Sequence, residues 1–225
     1  MNVVLFDIDG TLIRTGGAGR DALDAALLAE FGKVGSDAVE VNGRTDRGIA
    51  GCLFRYHGIE DSDANWFRFR AAYLDVLPRA LAARQGNVLD GVVDLVTRLR
   101  RIDRTLVGLL TGNVREGARI KLAHYAIDEH FAFGGFGDEH HERDDVAREA
   151  FREARTRVGA SLRADRIWVV GDTPNDIGCA RAIGARVVAV GTGSYSPAEL
   201  ATHEPDLVVA DLSDAEFLAN RFTEA

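Results

Sequence analysis

Val3-Val4-Leu5-Phe6-Asp7-Ile8-Asp9-Gly10-Thr11-Leu12 is the stretch that decides the fold. An apolar run without alternation reads as a strand buried on both faces, and the polar turn from Asp7 to Thr11 stops it. The same grammar recurs at Thr105 to Leu110, Ile167 to Val170, Val187 to Val190 and Leu207 to Val209, each run followed by a helical pattern. Strands apolar on both faces that alternate with helices require a parallel sheet covered on both sides. The expected class is therefore α/β, a Rossmann-like parallel sheet with helices on both faces. Helix starts are marked by a cap residue three positions before Glu: Asn113 with Glu116, Ser196 with Pro197 and Glu199, and Ser213 with Glu216.

The interval between the first strand and the second is far longer than one crossover helix needs. Its text is helical. Leu23, Ala26, Leu27 and Phe31 share one face of a first helix, and Trp66, Phe69, Tyr73 and Val76 one face of another, which Pro78 is expected to kink or end. We read residues 16–86 as an inserted all-helical cap domain on Gly-rich linkers, and residues 1–15 and 87–225 as the α/β core domain. The aromatic stripe reads as the core of the cap.

Composition bounds the partners. The chain has 225 residues, 46% hydrophobic and 28% charged, with a net charge of −8. That acidity, without a Lys/Arg block, disfavours both nucleic acid and an anionic membrane surface. No apolar run has the roughly 20 residues that cross a bilayer, and no basic region precedes the first one. The only cysteines, Cys52 and Cys179, lie far apart, which fits a reducing cytoplasm. Lys33 and Lys121 are the only lysines, so a cation needed for chemistry is expected to be Arg.

In open parallel sheets ligands bind beyond the carboxyl ends of the strands, which makes the polar residue that stops each apolar run the one to inspect. The first run stops at Asp7 and Asp9, the second at Thr111-Gly112-Asn113, and a later one at Gly171-Asp172-Thr173-Pro174-Asn175-Asp176. Carboxylates grouped in this way repel one another unless a cation lies between them, and oxygen donors alone suit a hard ion such as Mg2+. The Thr111 hydroxyl and the amides that start the following helix suit a phosphate. Asp7 and Asp9, two apart on a strand end, face one reacting group as nucleophile and proton carrier.

These residues resemble the successive motifs of the haloacid dehalogenase superfamily: Asp7-Ile8-Asp9-Gly10-Thr11-Leu12, then Thr111, then Gly171-Asp172 with Asp176. A helical cap between the first and second motifs is one of that superfamily's patterns. The resemblance implies that Asp7 attacks phosphorus, that Asp9 protonates the leaving oxygen and later takes a proton from water, and that Mg2+ is held by Asp7, the carbonyl of Asp9 and Asp172. It places Thr111, Gly112 and Asn113 on the phosphoryl oxygens, with Asp176 behind them. The superfamily's further cation, commonly Lys, is assigned here to Arg143, which lies between the apolar segment Phe131 to Phe133 and the helix beginning near Asp144; Lys121, mid-helix after the second motif, fits less well. In the cap, the loop of Asn42 to Arg47 corresponds to one that related proteins use to read the substrate, making Arg44, Thr45 and Arg47 specificity candidates.

Plainer readings stand beside these. Asn113 and Asp176 are also natural helix caps, Arg44 and Arg47 equally suit surface ion pairs, the Asp138-Glu139-His140-His141-Glu142 cluster reads as a solvated loop, and Gly191-Thr192-Gly193-Ser194 as a connection. The expected activity is a Mg2+-dependent phosphatase acting on a small phosphorylated metabolite, 2-phosphoglycolate-like or a sugar phosphate. Its rivals are a sugar phosphomutase and a non-catalytic signalling module phosphorylated on Asp.

Overall fold

In the computed structural model, which describes residues 1–224, the apolar runs form one sheet. Its strands are β1 (Asn2–Phe6), β4 (Thr105–Leu110), β5 (Gly134–Gly135), β6 (Ile167–Gly171), β7 (Arg186–Val190) and β8 (Leu207–Val209). Their order is β5-β4-β1-β6-β7-β8, with every neighbouring pair parallel. The short β5 directly follows Phe131-Ala132-Phe133, and the Phe133 carbonyl accepts from the Leu109 amide at 3.0 Å. A pair of short antiparallel strands, β2 (Ile13–Arg14) and β3 (Asn87–Val88), stands apart from the sheet.

Alternation along each strand divides the buried residues between two faces. Val4, Phe6, Val107, Leu109, Trp168 and Val170 meet α4 (Val92–Arg101), α5 (Arg115–His124) and α9 (Ala215–Thr223). Val3, Leu5, Leu110, Ile167 and Val169 meet α6 (Arg143–Val158), α7 (Pro174–Ala182) and α8 (Pro197–Ala201). The chain runs β1, β4, β5 to one side and then β6, β7, β8 to the other, so the carboxyl end of β1 is the switch point where a crevice opens.

Between β2 and β3 lie only helices: α1 (Ala18–Phe31), α2 (Asp46–His57) and α3 (Asp63–Ala83). Leu23, Leu27, Phe54, Trp66, Phe69, Tyr73 and Leu77 form their common core, and Val114, at the start of α5, joins it. The β2–β3 pair closes the base of this unit. Of the two outcomes expected at Pro78, an end does not occur, for α3 runs on to Ala83. Burial of Tyr73, Leu77 and Leu81 on both sides of the proline outweighs the lost hydrogen bond, a cost of about 3 kcal/mol.

Two further helix starts differ from expectation. The cap of α9 is Asp214, which accepts from Phe217 N at 3.1 Å, rather than Ser213. At α5 the Asn113 side chain caps nothing. Asp46 Oδ2 takes the Val114 amide (2.8 Å) and Asp138 Oδ2 the Arg115 amide (2.7 Å) instead. Ser196 with Glu199, and Thr173 with Asp176, form complete capping boxes.

Candidate active site

Ending β1 at Phe6 puts Asp7 at the switch point, where its amide still donates to the Val170 carbonyl at 2.9 Å. The chain then turns through Gly10, whose φ of +85° favours glycine; a Cβ there would lie 2.4 Å from Asp172 Oδ2. That close approach lets Thr11 Oγ1 donate to Asp172 Oδ1 at 2.9 Å and ties the first strand end to the β6 end. On the other side, Gly193 packs its backbone against Asp172, and Thr192 Oγ1 donates to the Gly10 carbonyl at 2.6 Å. The loop read from sequence as a mere connection therefore forms part of the wall.

Asp7, Asp172 and Asp176 are buried, and each offers a carboxylate oxygen within 4.8 Å of the others. Arg143, the first residue of α6, faces them. Its Nη1 donates to Asp7 Oδ1 at 3.2 Å, and its Nη2 to the Leu110 carbonyl at 3.3 Å and to Asp176 Oδ1. Asp176 Oδ2 accepts the Thr173 amide and hydroxyl at 3.1 and 2.7 Å. Both oxygens of Asp176 are thus committed to protein donors, whereas among the described residues the one side-chain donor to Asp7 is Arg143, on Oδ1, and the one to Asp172 is Thr11, on Oδ1.

Electrostatics follows from that count. Burial, reinforced by Asp176 and Asp9 and opposed by Arg143, pushes the Asp7 carboxyl up to about 7. Asp172 is raised well above the ordinary value, first by burial and then by Asp176 and Asp7. For Arg143 burial disfavours the charge, but Asp176 and Asp7 outweigh it and hold the guanidinium charged. Three buried carboxylates against one guanidinium leave an excess of negative charge that a hard cation neutralises, and the all-oxygen donor set fits Mg2+.

Asp9 takes a different environment. Its Oδ2 accepts from Asn113 Nδ2 at 2.8 Å and from Lys121 Nζ at 2.6 Å, and Lys121 also donates to Asn113 Oδ1 at 2.6 Å. Asn113 Nδ2 further donates to Thr111 Oγ1 at 2.9 Å, which places Thr111 buried beneath the cleft floor. Lys121, judged from sequence to fit less well than Arg143, is in the site together with it. A signal was present: Asn113, Gly117 and Lys121 recur every four residues, and Lys121 sits beside the apolar Ala118 and Leu122.

Asp46 is the second residue that sequence reasoning missed. Besides capping α5, it donates its amide to the Gly112 carbonyl at 2.7 Å, so the helical unit is fastened directly to the Thr111-Gly112-Asn113 loop. Burial, opposed chiefly by Lys121, raises its carboxyl to about 6.

The cleft measures about 440 Å³ and is lined by Asp7, Asp9, Asn113, Lys121, Arg143 and Asp172 from the core, with Arg44 and Tyr73 from the helical unit. Of the three specificity candidates, only Arg44 lines it. Thr45 caps α2, accepting from Gly48 N at 2.9 Å and donating to the His141 carbonyl at 3.0 Å. Arg47 turns into the helical unit, 2.7 Å from Asp61 and over the Trp66 ring at 5.4 Å. In the acidic loop His140 pairs with Glu149 at 3.0 Å and Asp138 with Arg70 at 3.5 Å.

A carboxylate cluster and a buried guanidinium at the switch point of a parallel sheet define an α/β enzyme. Residues 1–184 match the haloacid dehalogenase-like hydrolases, and the chain belongs to that family. It is 28% identical to phosphoglycolate phosphatase 1 of Pseudomonas aeruginosa, over 94% of this chain and 77% of that protein. Among solved structures it resembles CbbY of Rhodobacter sphaeroides in complex with xylulose-(1,5)-bisphosphate (TM-score 0.75, 18% identity, 95% and 96% of the two chains). A hydrolase from Pseudomonas syringae has a TM-score of 0.72 at 20% identity, covering 98% and 99%. Among the described residues no helix is long and apolar enough to cross a membrane.

Proposed function

We propose that this hydrolase is a Mg2+-dependent phosphatase that cleaves a small phosphate monoester, 2-phosphoglycolate-like or a sugar phosphate, through an aspartyl-phosphate on Asp7. The observation that carries this reading is the convergence of Asp7, Asp9, Asp172 and Arg143 on one cleft at the carboxyl ends of β1 and β6. Asp7 and Asp172, with the Asp9 carbonyl, would hold Mg2+, which when bound neutralises the cluster and the phosphoryl oxygens. Asp176 holds Arg143 in place, and Arg143 attracts the phosphoryl group toward Asp7.

Asp7 attacks phosphorus in line as the bond to the leaving oxygen breaks. Asp9 supplies the proton to that oxygen and then accepts one from the water that hydrolyses the aspartyl-phosphate. Gly112 and Asn113 line the cleft where the phosphoryl oxygens would be received, with Thr111 beneath them holding the Asn113 amide, and Arg44 faces the remainder of the substrate across the cleft. The relationship to a phosphoglycolate phosphatase supports small phosphorylated metabolites as partners.

The test is initial rates on a panel of small phosphate esters, including 2-phosphoglycolate and sugar phosphates, with Mg2+ and with chelator, for wild type and Asp7→Asn. Metal-dependent turnover that falls by at least about 1,000-fold in the variant is expected. Absence of turnover on every ester, or an active Asp7→Asn, overturns the reading.

A further inference from the structure

Lys121 is 95% buried at its side chain, whereas the Asp9 side chain that it contacts is 40% exposed to the cleft. An ammonium is costly to bury, and this one is retained only because Asp9 Oδ2 and Asn113 Oδ1 each lie 2.6 Å from it. Asn113 Nδ2 reaches the same Oδ2 at 2.8 Å. Both donors therefore grip one oxygen of the carboxylate. Among the described residues Asp9 Oδ1 accepts no hydrogen bond, which leaves it open to the cleft that Asp9 lines.

We propose that Lys121 is a positioning residue for proton transfer: it pins Oδ2 of Asp9 so that Oδ1 alone is presented to the leaving group. The inference rests on the phosphatase reading and adds a residue to it. In the first half-reaction the Asp7–phosphorus bond forms, the bond from phosphorus to the leaving oxygen breaks, and the proton on Oδ1 passes to that oxygen. Asp9 is left as a carboxylate whose new charge lies against the Lys121 ammonium. In the second half-reaction water attacks phosphorus, the bond to Asp7 breaks, and the water proton goes to Oδ1. Lys121 thus acts through Asp9 and Asn113, which distinguishes it from Arg143, bonded to Asp7 and Asp176.

Leaving-group chemistry separates this role from a structural one. A p-nitrophenolate departs without a proton, whereas the alkoxide of glycerol 2-phosphate needs one. We would measure kcat/KM for both esters, with Mg2+, in wild type, Lys121→Met and Lys121→Gln, using Asp9→Asn to set the scale. This parameter reports only steps up to departure of the leaving group, so slow hydrolysis of the aspartyl-phosphate does not enter. The ratio of the two esters in one sample is also unaffected by any inactive fraction.

The expected result is a loss on glycerol 2-phosphate that exceeds the loss on p-nitrophenyl phosphate by about 10-fold or more, in the direction set by Asp9→Asn. A ratio within about 3-fold of wild type in Lys121→Met overturns the positioning role. If that variant does not fold, the same ratio in Lys121→Gln decides. If glycerol 2-phosphate is not cleaved, the alkyl ester that the wild type cleaves fastest takes its place in the ratio, and a wild type that cleaves no ester removes the phosphatase reading and this inference with it. Active wild type with an unchanged ratio removes the inference alone.

Discussion

The two walls of the cleft handle charge in opposite ways. On the core wall Asp7, Asp172, Asp176 and Arg143 are buried, and bonds between strand ends and helix starts fix their positions. Those carboxylates outnumber the guanidinium that faces them, and the wall is left negative. On the helical wall Arg20 pairs with Asp24 at 3.0 Å, and behind that wall Arg47 pairs with Asp61 at 2.7 Å. Arg44 has no carboxylate partner among the described residues; its side chain donates to Cys52 Sγ at 3.7 Å. The negative wall suits a cation together with the reacting phosphoryl group, and the remaining arginine of the other wall suits an anionic tail.

Removing the guanidinium that faces Asp7, Asp172 and Asp176 should have the largest effect on stability. Arg143→Ala leaves three buried carboxylates facing one another, and a loss of about 3–5 kcal/mol is expected in metal-free denaturant unfolding. A loss below about 1 kcal/mol would show that the wall does not depend on this compensation.

The next prediction couples pH to metal. Asp7 titrates near 7 in the folded chain against an ordinary 3.8, so the folded state keeps a proton that the unfolded chain releases. Its contribution to stability is complete below pH about 4 and is lost as the pH rises through about 7. Metal-free protein should therefore lose Tm across that window, and the rise in Tm on adding Mg2+ should be larger at pH 8 than at pH 5. Equal Mg2+ shifts at both pH values in calorimetry would separate the metal from this cluster.

The helical wall is probed by two arginines that are close in sequence and differ in environment. Arg44→Ala should leave Tm unchanged and lower kcat/KM by about 10-fold for esters with a second anionic group, relative to p-nitrophenyl phosphate. Arg47→Ala should do the reverse, costing about 1–2 kcal/mol of stability with the ester ranking preserved. Equal effects of the two would erase the distinction between facing the cleft and facing the helical core.

The smallest effect is expected where the walls meet. Asp46→Ala removes the cap of α5 and should cost about 1 kcal/mol, with Asp46→Asn recovering part of it because the amide oxygen still accepts from Val114 N. A parallel weakening of vanadate binding would show that the Asp46 clasp also orders the Thr111-Gly112-Asn113 loop.

Legibility in the sequence followed the range of the interaction. The sheet, the helical insertion and the strand-end carboxylates were readable because each is a property of a few neighbouring residues: an apolar run, a helical period, a polar stop. Arg143 was reached through the family resemblance, from its place between an apolar segment and a helix. Lys121 was readable only as a weaker candidate on the Asn113 face of its helix, and Asp46 was not readable at all. Their partners, Asp9 and Val114, lie 112 and 68 positions away in the chain. Asn113, expected also as a helix cap, is instead drawn to Asp9, Thr111 and Lys121 by contacts that only packing creates.

By itself the sequence determined that this is a parallel α/β protein with a helical insertion and acidic strand ends, because hydrophobic periodicity and turn chemistry act over a few residues. Tertiary structure decided which charges meet. Docking of α5 beneath the turn after β1 sets Lys121 on Asp9, and the seating of the Asp46 loop on the core turns Arg44 into the cleft and Arg47 away from it. Those choices depend on the packing of elements distant in the chain, where burial makes each unpaired charge costly and so selects the pairing.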